Sequence, residues 1–202
     1  MELEQCLKLR RDTRHFLKDD VPETVLKKAL TAAHCAPSVG LSEPWRFVVV
    51  RNQQTKAILK QSFLKIRAKA EANLANEQDK LKLHKSLKLE AIEDAPIGLA
   101  VFCEYPKENY TIGTVWTDET LKWSCVCAIQ NLWLSLTEQG YSAGWVSILD
   151  YNQLKQVLSV PDDWEPLGYL CIGKPATDYD GQPMLEQVGW KQRCSEPVVI
   201  YR

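Results

Sequence analysis

The chain has 202 residues, 45% of them hydrophobic and 9% aromatic, enough apolar surface to build the core of one domain. Its formal charge of -1 and isoelectric point near 6.3 give no electrostatic drive toward DNA, RNA or an anionic membrane, so a small molecule or a protein is the expected partner. The apolar runs are too short to span a bilayer, and the acidic start Met1-Glu2-Leu3-Glu4-Gln5 is unlike a secretory signal, which together predict a cytosolic protein.

Apolar periodicity predicts alternating helices and strands. Helical spacing covers residues 2–9 and 23–35, the second with Val25, Leu26, Ala29, Leu30 and Ala33 along one side. Between them, Arg10-Arg11-Asp12-Thr13-Arg14 puts three guanidinium groups and one carboxylate into five residues. Guanidinium groups keep their charge, and their planar forks match phosphate oxygens. On residue types alone, a site for a phosphorylated ligand and a solvated basic patch both stand open.

A loop follows from Ala36 to Trp45, punctuated by Pro37, Gly40 and Pro44, and Arg46 to Arg51 predicts a strand through Phe47-Val48-Val49-Val50. From about Gln54 to Glu93 the chain is long, charged and free of Pro and Gly, which predicts helix with a break or a mobile cover near Asn73 to Gln78. Pro96 to Cys103 predicts a second strand. Residues 118–139 form the strongest helical pattern, through Leu121, Cys125, Ala128, Ile129, Leu132 and Leu136, with Trp123, Val126, Trp133 and Leu134 on other faces. A helix apolar nearly all round is expected at the domain centre or with half its surface against a second subunit. Gly140 closes it. A strand over 142–148, a short helix over 151–158 and a strand over 167–172 come next. The tail from Ala176 is polar but ends in Pro197-Val198-Val199-Ile200-Tyr201, a strand-like segment expected to pair with another chain.

Seven cysteines and three histidines show neither a Cys-x-x-Cys pair nor ligand-like spacing, so no disulfide framework and no metal site is assigned. Cys103 and Cys171 stand within apolar runs and are expected to be small core residues.

Several separated segments resemble one family. Arg10-Arg11-Asp12-Thr13-Arg14 with Phe16, the loop from Ala36-Pro37-Ser38-Val39-Gly40 to Pro44-Trp45, Gln130-Asn131-Leu132-Trp133-Leu134 and Gly144-Trp145-Val146-Ser147-Ile148 are similar to the nitroreductase-like flavoproteins. Within them the chain looks most like the 5,6-dimethylbenzimidazole synthase branch. Leu87-Lys88-Leu89-Glu90 and Gly189-Trp190-Lys191-Gln192-Arg193 extend the resemblance from residue 8 to about 194.

The resemblance implies an α+β fold, a central mixed or antiparallel sheet flanked by helices, in an intertwined homodimer with FMN at the subunit boundary. It implies one domain over 1–202, with 176–202 as an arm reaching the partner subunit. The chain has no Gly-x-Gly-x-x-Gly turn, so phosphate must be held by side chains. By similarity Arg10 and Arg193 hold the FMN phosphate, Arg14 lies near the polar edge of the ring system with Arg11 beside it, and Thr13 is a further contact within the same motif. Asp12 stands where ordinary nitroreductases commonly have Ser. A carboxylate among arginines is expected to be ionised, because nearby positive charge favours the anion. It is carried over as a catalytic residue and flavin contact; a helix cap or an arginine clamp is the alternative reading. Ser147 is carried over as the second catalytic residue, hydrogen-bonding the flavin near the ring edge. Ser38 is expected to face ring or phosphate, and Leu89 to supply a packing or backbone contact.

In this branch reduced FMN is itself the substrate: with dioxygen its ring system is fragmented and yields 5,6-dimethylbenzimidazole, the lower ligand of cobalamin. That demands an apolar lining, for which Trp45, Trp116, Trp123 and Trp145 are candidates, with core packing as the other reading of each. Glu43 replaces a Gln common in relatives, and Tyr110 to Trp123 diverges from the branch in a region that contributes to the cover over the flavin. Two other functions are therefore weighed. One is a conventional nitroreductase with persistent FMN and NAD(P)H as electron donor; the other is a non-catalytic flavin-binding protein.

Overall fold

A computed structural model describes residues 1–107, 110–177 and 181–202. Residues 178–180, within the arm expected over 176–202, lie outside the described residues. The elements in chain order are α1 Leu3–Leu9, α2 Glu23–His34, β1 Trp45–Val50, α3 Gln53–Asn73, α4 Gln78–Ser86, β2 Ile97–Glu104, α5 Glu119–Glu138, β3 Ser142–Val146, α6 Tyr151–Leu158, β4 Trp164–Gly173 and α7 Met184–Gln187, with a 3₁₀ turn over Val39–Leu41. The strands form one sheet in the order β1-β2-β4-β3, and every strand pair in it is antiparallel.

The sheet is covered on both faces, which explains why its inner strands are apolar without alternation. Side chains of β2 point to opposite faces in turn. Ile97, Leu99, Val101 and Cys103 join the core made with α2 and α5. Ala100 and Phe102 join a second core with Leu59 and Phe63 of α3 and Leu154 of α6. In β4, Leu170 and Ile172 face the first core and Tyr169 and Cys171 the second. Cys103 and Cys171 are fully buried.

The long charged stretch divides. Asn52 caps α3 by accepting the Thr55 N–H at 2.9 Å, the helix ends at Asn73, and α4 begins at Gln78. Residues 87–96 then leave helix altogether. This irregular segment is tied down from α3: Lys60 pairs with the buried Glu90, whose other oxygen accepts the Ile92 N–H at 2.7 Å. The fully buried Lys56 donates to the carbonyls of Ala95 and Pro96 at 2.7 and 2.9 Å. Burial lowers its pKa below the usual lysine value.

α5 buries one face only. Leu121, Cys125, Ala128, Ile129, Leu132, Trp133 and Leu136 are in the core, while Trp123 is 58% exposed and Val126 44%. With Gln130 and Leu134 these mark a second stripe at helical spacing. The strand expected over 197–201 is absent: the segment has no regular structure, and Val198 is 94% exposed. Part of the tail packs on its own chain. The Ala176 N–H donates to the His15 carbonyl at 3.0 Å, and Trp190 lies against the His84 ring with centroids 6.3 Å apart.

Candidate functional site

Arg10 ends α1 by leaving helical geometry at φ -57°, ψ 123°, and the chain then runs extended along the edge of β3. Asp12 bridges Ala143 in parallel, the Thr13 N–H donates to the Ala143 carbonyl at 3.0 Å, and the buried Thr13 hydroxyl bonds that of Ser142. Gly144 makes this approach feasible, because a Cβ there would overlap the Thr13 carbonyl oxygen and Arg14 Nη1.

Asp12 is engaged by both oxygens. Oδ1 accepts the Trp145 N–H at 2.7 Å, and Oδ2 accepts from Arg14 Nη2 at 2.5 Å. The same Arg14 nitrogen donates to the Trp145 carbonyl at 2.8 Å. The Arg14 guanidinium is therefore a clamp between Asp12 and the end of β3. The Asp12 side chain keeps 49% of its surface open and lines two cavities. Burial is the leading influence and pushes its carboxyl above the ordinary value, against the pull of Arg14, the Trp145 N–H and Arg10. The expected pull of Arg14 and Arg10 toward the anion is present, with a larger desolvation set against it.

Two cavities flank Asp12. One, of about 280 Å³, is lined by Leu7, Arg10, Arg11, Asp12, Met184, Leu185 and Arg193 among others. The second, of about 420 Å³, is lined by Asp12, Arg14, His15, Leu87, Lys88, Met184, Gln187 and Val188 among others. In the first, Arg11 donates to the Arg10 carbonyl at 2.5 Å. The Arg10 guanidinium lies over the Trp133 ring, 4.7 Å from its centroid, and donates to no acceptor among the described residues; nor does that of Arg193, whose main-chain N–H alone bonds, to Glu186 Oε1 at 3.1 Å. Burial lowers the Arg10 pKa, Asp12 raises it, and Arg193 lowers it further. Two guanidinium groups that disfavour each other, with hydrogens unengaged, suit an anion.

The other expected residues are not gathered here. Ser147 is exposed just beyond β3, two residues from the Asp12 anchor at Trp145. Leu89 is half-buried in the second core. Ser38 caps the 3₁₀ turn, and its hydroxyl accepts the Glu43 N–H at 3.2 Å. The next N–H, of Val39, reaches Ser124 Oγ at 3.1 Å. Ser124 and Trp133 are nine residues apart on α5, so within one chain the Ser38 loop and Arg10 sit about 13 Å apart along the helix. Glu43 faces His34 at 3.7 Å rather than the arginines. This loop is strained, with Leu41 and Glu43 at φ 53° and 43°.

Of the candidate tryptophans, Trp45 is core, Trp145 is half-buried with its indole N–H on the Leu167 carbonyl at 3.3 Å, and Trp116 and Trp123 stand exposed. Met184 and Gln187, which line both cavities, come from a polar tail without a legible signal. Trp133 and Gly144 lay inside recognised motifs but without an assigned role. Among the described residues, no group of three His, Cys, Asp or Glu could hold a metal, and no helix is long and apolar enough to cross a membrane.

The fold is an α+β domain with an arginine-lined cavity at the edge of β3, and comparison with known proteins defines its class. The chain belongs to the nitroreductase family, whose model matches residues 7–174. It is 38% identical over 198 residues to the 5,6-dimethylbenzimidazole synthase of Rhodospirillum rubrum, covering 98% of this chain and 92% of that protein. It is 35% identical to the enzyme of the same name from Rhodobacter capsulatus, over 94% and 91% of the two chains. A crystal structure of iodotyrosine deiodinase bound to FMN and 3-iodo-L-tyrosine shares the fold at a TM-score of 0.78 and 22% identity, covering 100% of this chain and 99% of that one.

Proposed function

We propose that the protein is a 5,6-dimethylbenzimidazole synthase, taking reduced FMN and dioxygen as substrates. The observation that carries this reading is the pair of unengaged guanidinium groups, Arg10 and Arg193, facing one cavity beside Asp12. The names of relatives 38% and 35% identical over nearly the whole chain support the same activity.

The residues fit FMN. Arg10 and Arg193 would take the phosphate as charge-assisted donors, with Arg11 beside them. The second cavity, with Arg14, Leu87 and Lys88 on its wall, would take the ring system, with Leu89 behind it and Thr13 fixing the strand edge. When bound, reduced FMN supplies the dimethylbenzene portion of the product and the electrons that reduce dioxygen. The chain's own task is to hold and shield. Asp12 fixes Arg14 and the end of β3 while its open half faces the ligand, where a carboxyl with a raised pKa is suited to accept and return a proton. Ser147, just beyond the same strand end, is the second proposed catalytic residue, as a hydroxyl donor to the ligand.

The working unit we propose is a homodimer. The second stripe of α5, with Trp123 and Val126 exposed and Leu134 half-buried, is the surface for a second copy. With the two-fold axis lying across α5, the helix and its mate would run antiparallel, which would bring the Ser124 end of one over the Trp133 end of the other. Ser38 would then meet the arginines across the boundary. The exposed Val198 to Tyr201 would reach the partner too. NAD(P)H is the proposed source of electrons for reducing FMN, and the cytosol the proposed compartment.

The test is to mix the protein with excess chemically reduced FMN, admit air and identify the products by mass. 5,6-Dimethylbenzimidazole is the expected product. Its absence, together with reduction of nitro compounds by NAD(P)H, would replace this reading with that of a conventional nitroreductase.

A further inference from the structure

Arg10 has an unusual seat for a cation that must wait for an anion. Its guanidinium lies 4.7 Å from the centroid of the Trp133 ring. Trp133 is 6% exposed, and its indole N–H is buried without a hydrogen-bond partner. The ring is held by α5 inside the core shared by Leu132, Leu136 and Ala33, so the aromatic face cannot turn away. On the same cavity, Arg193 repels Arg10 and Asp12 attracts it.

An arginine on a flexible stem would normally satisfy itself on a nearby carbonyl, as Arg11 does on the Arg10 main chain. A π face attracts the cation without accepting any of its N–H groups. It therefore holds the guanidinium in place while leaving its N–H donors available to the cavity. We infer that Trp133 is a positioning residue for phosphate recognition, an aromatic seat that keeps Arg10 pre-oriented toward the phosphate of the flavin substrate. This rests on the reading that the arginine-lined cavity takes that phosphate. Its effect is preorganisation: without the seat, Arg10 must give up rotamer freedom when the anion arrives. Arg193, reaching the same cavity from the tail, has no aromatic seat of this kind among the described residues.

The test compares FMN with riboflavin, which has the same ring system and no phosphate. Affinities are measured by titration of oxidised flavin for wild type, Trp133→Leu, Trp133→Phe and Arg10→Ala. Trp133→Leu is expected to weaken FMN about two- to tenfold and leave riboflavin unchanged. Trp133→Phe keeps an aromatic face and removes the unpartnered N–H, so it should stay within about twofold of wild type. Arg10→Ala should weaken FMN roughly ten- to hundredfold, and adding Trp133→Leu to it should cost nothing more. A merely structural role would lower both flavins together. If Arg10→Ala shifts the FMN to riboflavin ratio while Trp133→Leu does not, the seat is refuted and the phosphate site survives. If neither shifts the ratio, the phosphate reading itself fails. Should Trp133→Leu not fold, Trp133→Met, unbranched and adaptable in a core, carries the same expectation.

Discussion

Asp12 and Trp145 are joined side chain to backbone, Oδ1 of the carboxylate accepting the Trp145 N–H at 2.7 Å, and that bond fixes where the arginine segment meets β3. The second oxygen is held by Arg14 at 2.5 Å. An amide at position 12 keeps one acceptor but turns a donor toward Arg14. Asp12→Asn should therefore lower the unfolding free energy by about 1–2 kcal/mol, discounted because the group is half open. FMN binding should survive, and benzimidazole formation should fall by roughly 10²–10⁴-fold, the range for losing a positioned acid–base group. Parallel loss of flavin binding and product would reduce Asp12 to a clamp.

The same variant reports the direction of the Asp12 shift. Burial raises the folded pKa above the ordinary aspartate value of about 3.9. Between that value and the folded pKa the native state holds more proton than the unfolded chain, so this contribution to stability is present at the acid end and lost as pH rises through the folded pKa. Urea unfolding should show the stability gap between wild type and Asp12→Asn narrowing across that window. A widening gap would mean that Arg14 and Arg10 dominate after all.

Gly144→Ala tests the close approach of the two segments. A methyl there has to displace the Thr13 carbonyl and Arg14, which should cost about 1–3 kcal/mol and weaken FMN binding through misplaced Asp12 and Arg10. Urea unfolding and flavin titration measure both. Unchanged affinity would show that the arginines reach the ligand without the β3 contact.

The exposed stripe of α5 predicts that the protein is a dimer at micromolar concentration by light scattering. Trp123→Glu should shift it to monomer and remove FMN binding, because the Ser38 side of the site would be lost. A monomeric wild type with full flavin affinity would contradict this.

Element order was legible because β2 and β4 stand out as continuous apolar runs and α5 as an apolar period of 3.6, where burial is decisive. Boundaries slipped where local chemistry rules. Residues 87–96 carry no Pro or Gly before Pro96, yet Lys56 and Lys60 hold them out of helix, and a pairing of residues 30 or more apart has no local trace. The arginines were legible as a ligand site because charge in five consecutive residues is a sequence property. Their division of labour was not. Nothing in Arg10-Arg11-Asp12-Thr13-Arg14 distinguishes the Arg14 clamp from the Arg10 donor, since that depends on Trp145 and Trp133, over 120 residues away. Val198 to Tyr201 has the composition of a strand without forming one here: β-propensity marks what fits a sheet, and within one chain the segment has no partner strand.

The central claim is that the flavin is consumed, and the fate of the flavin after one exposure to air tests it most directly. Protein and reduced FMN are mixed anaerobically in equal amounts, air is admitted, and oxidised FMN is quantified after denaturation. The account predicts that FMN recovered falls short by the amount of 5,6-dimethylbenzimidazole formed. Full recovery of FMN would contradict it.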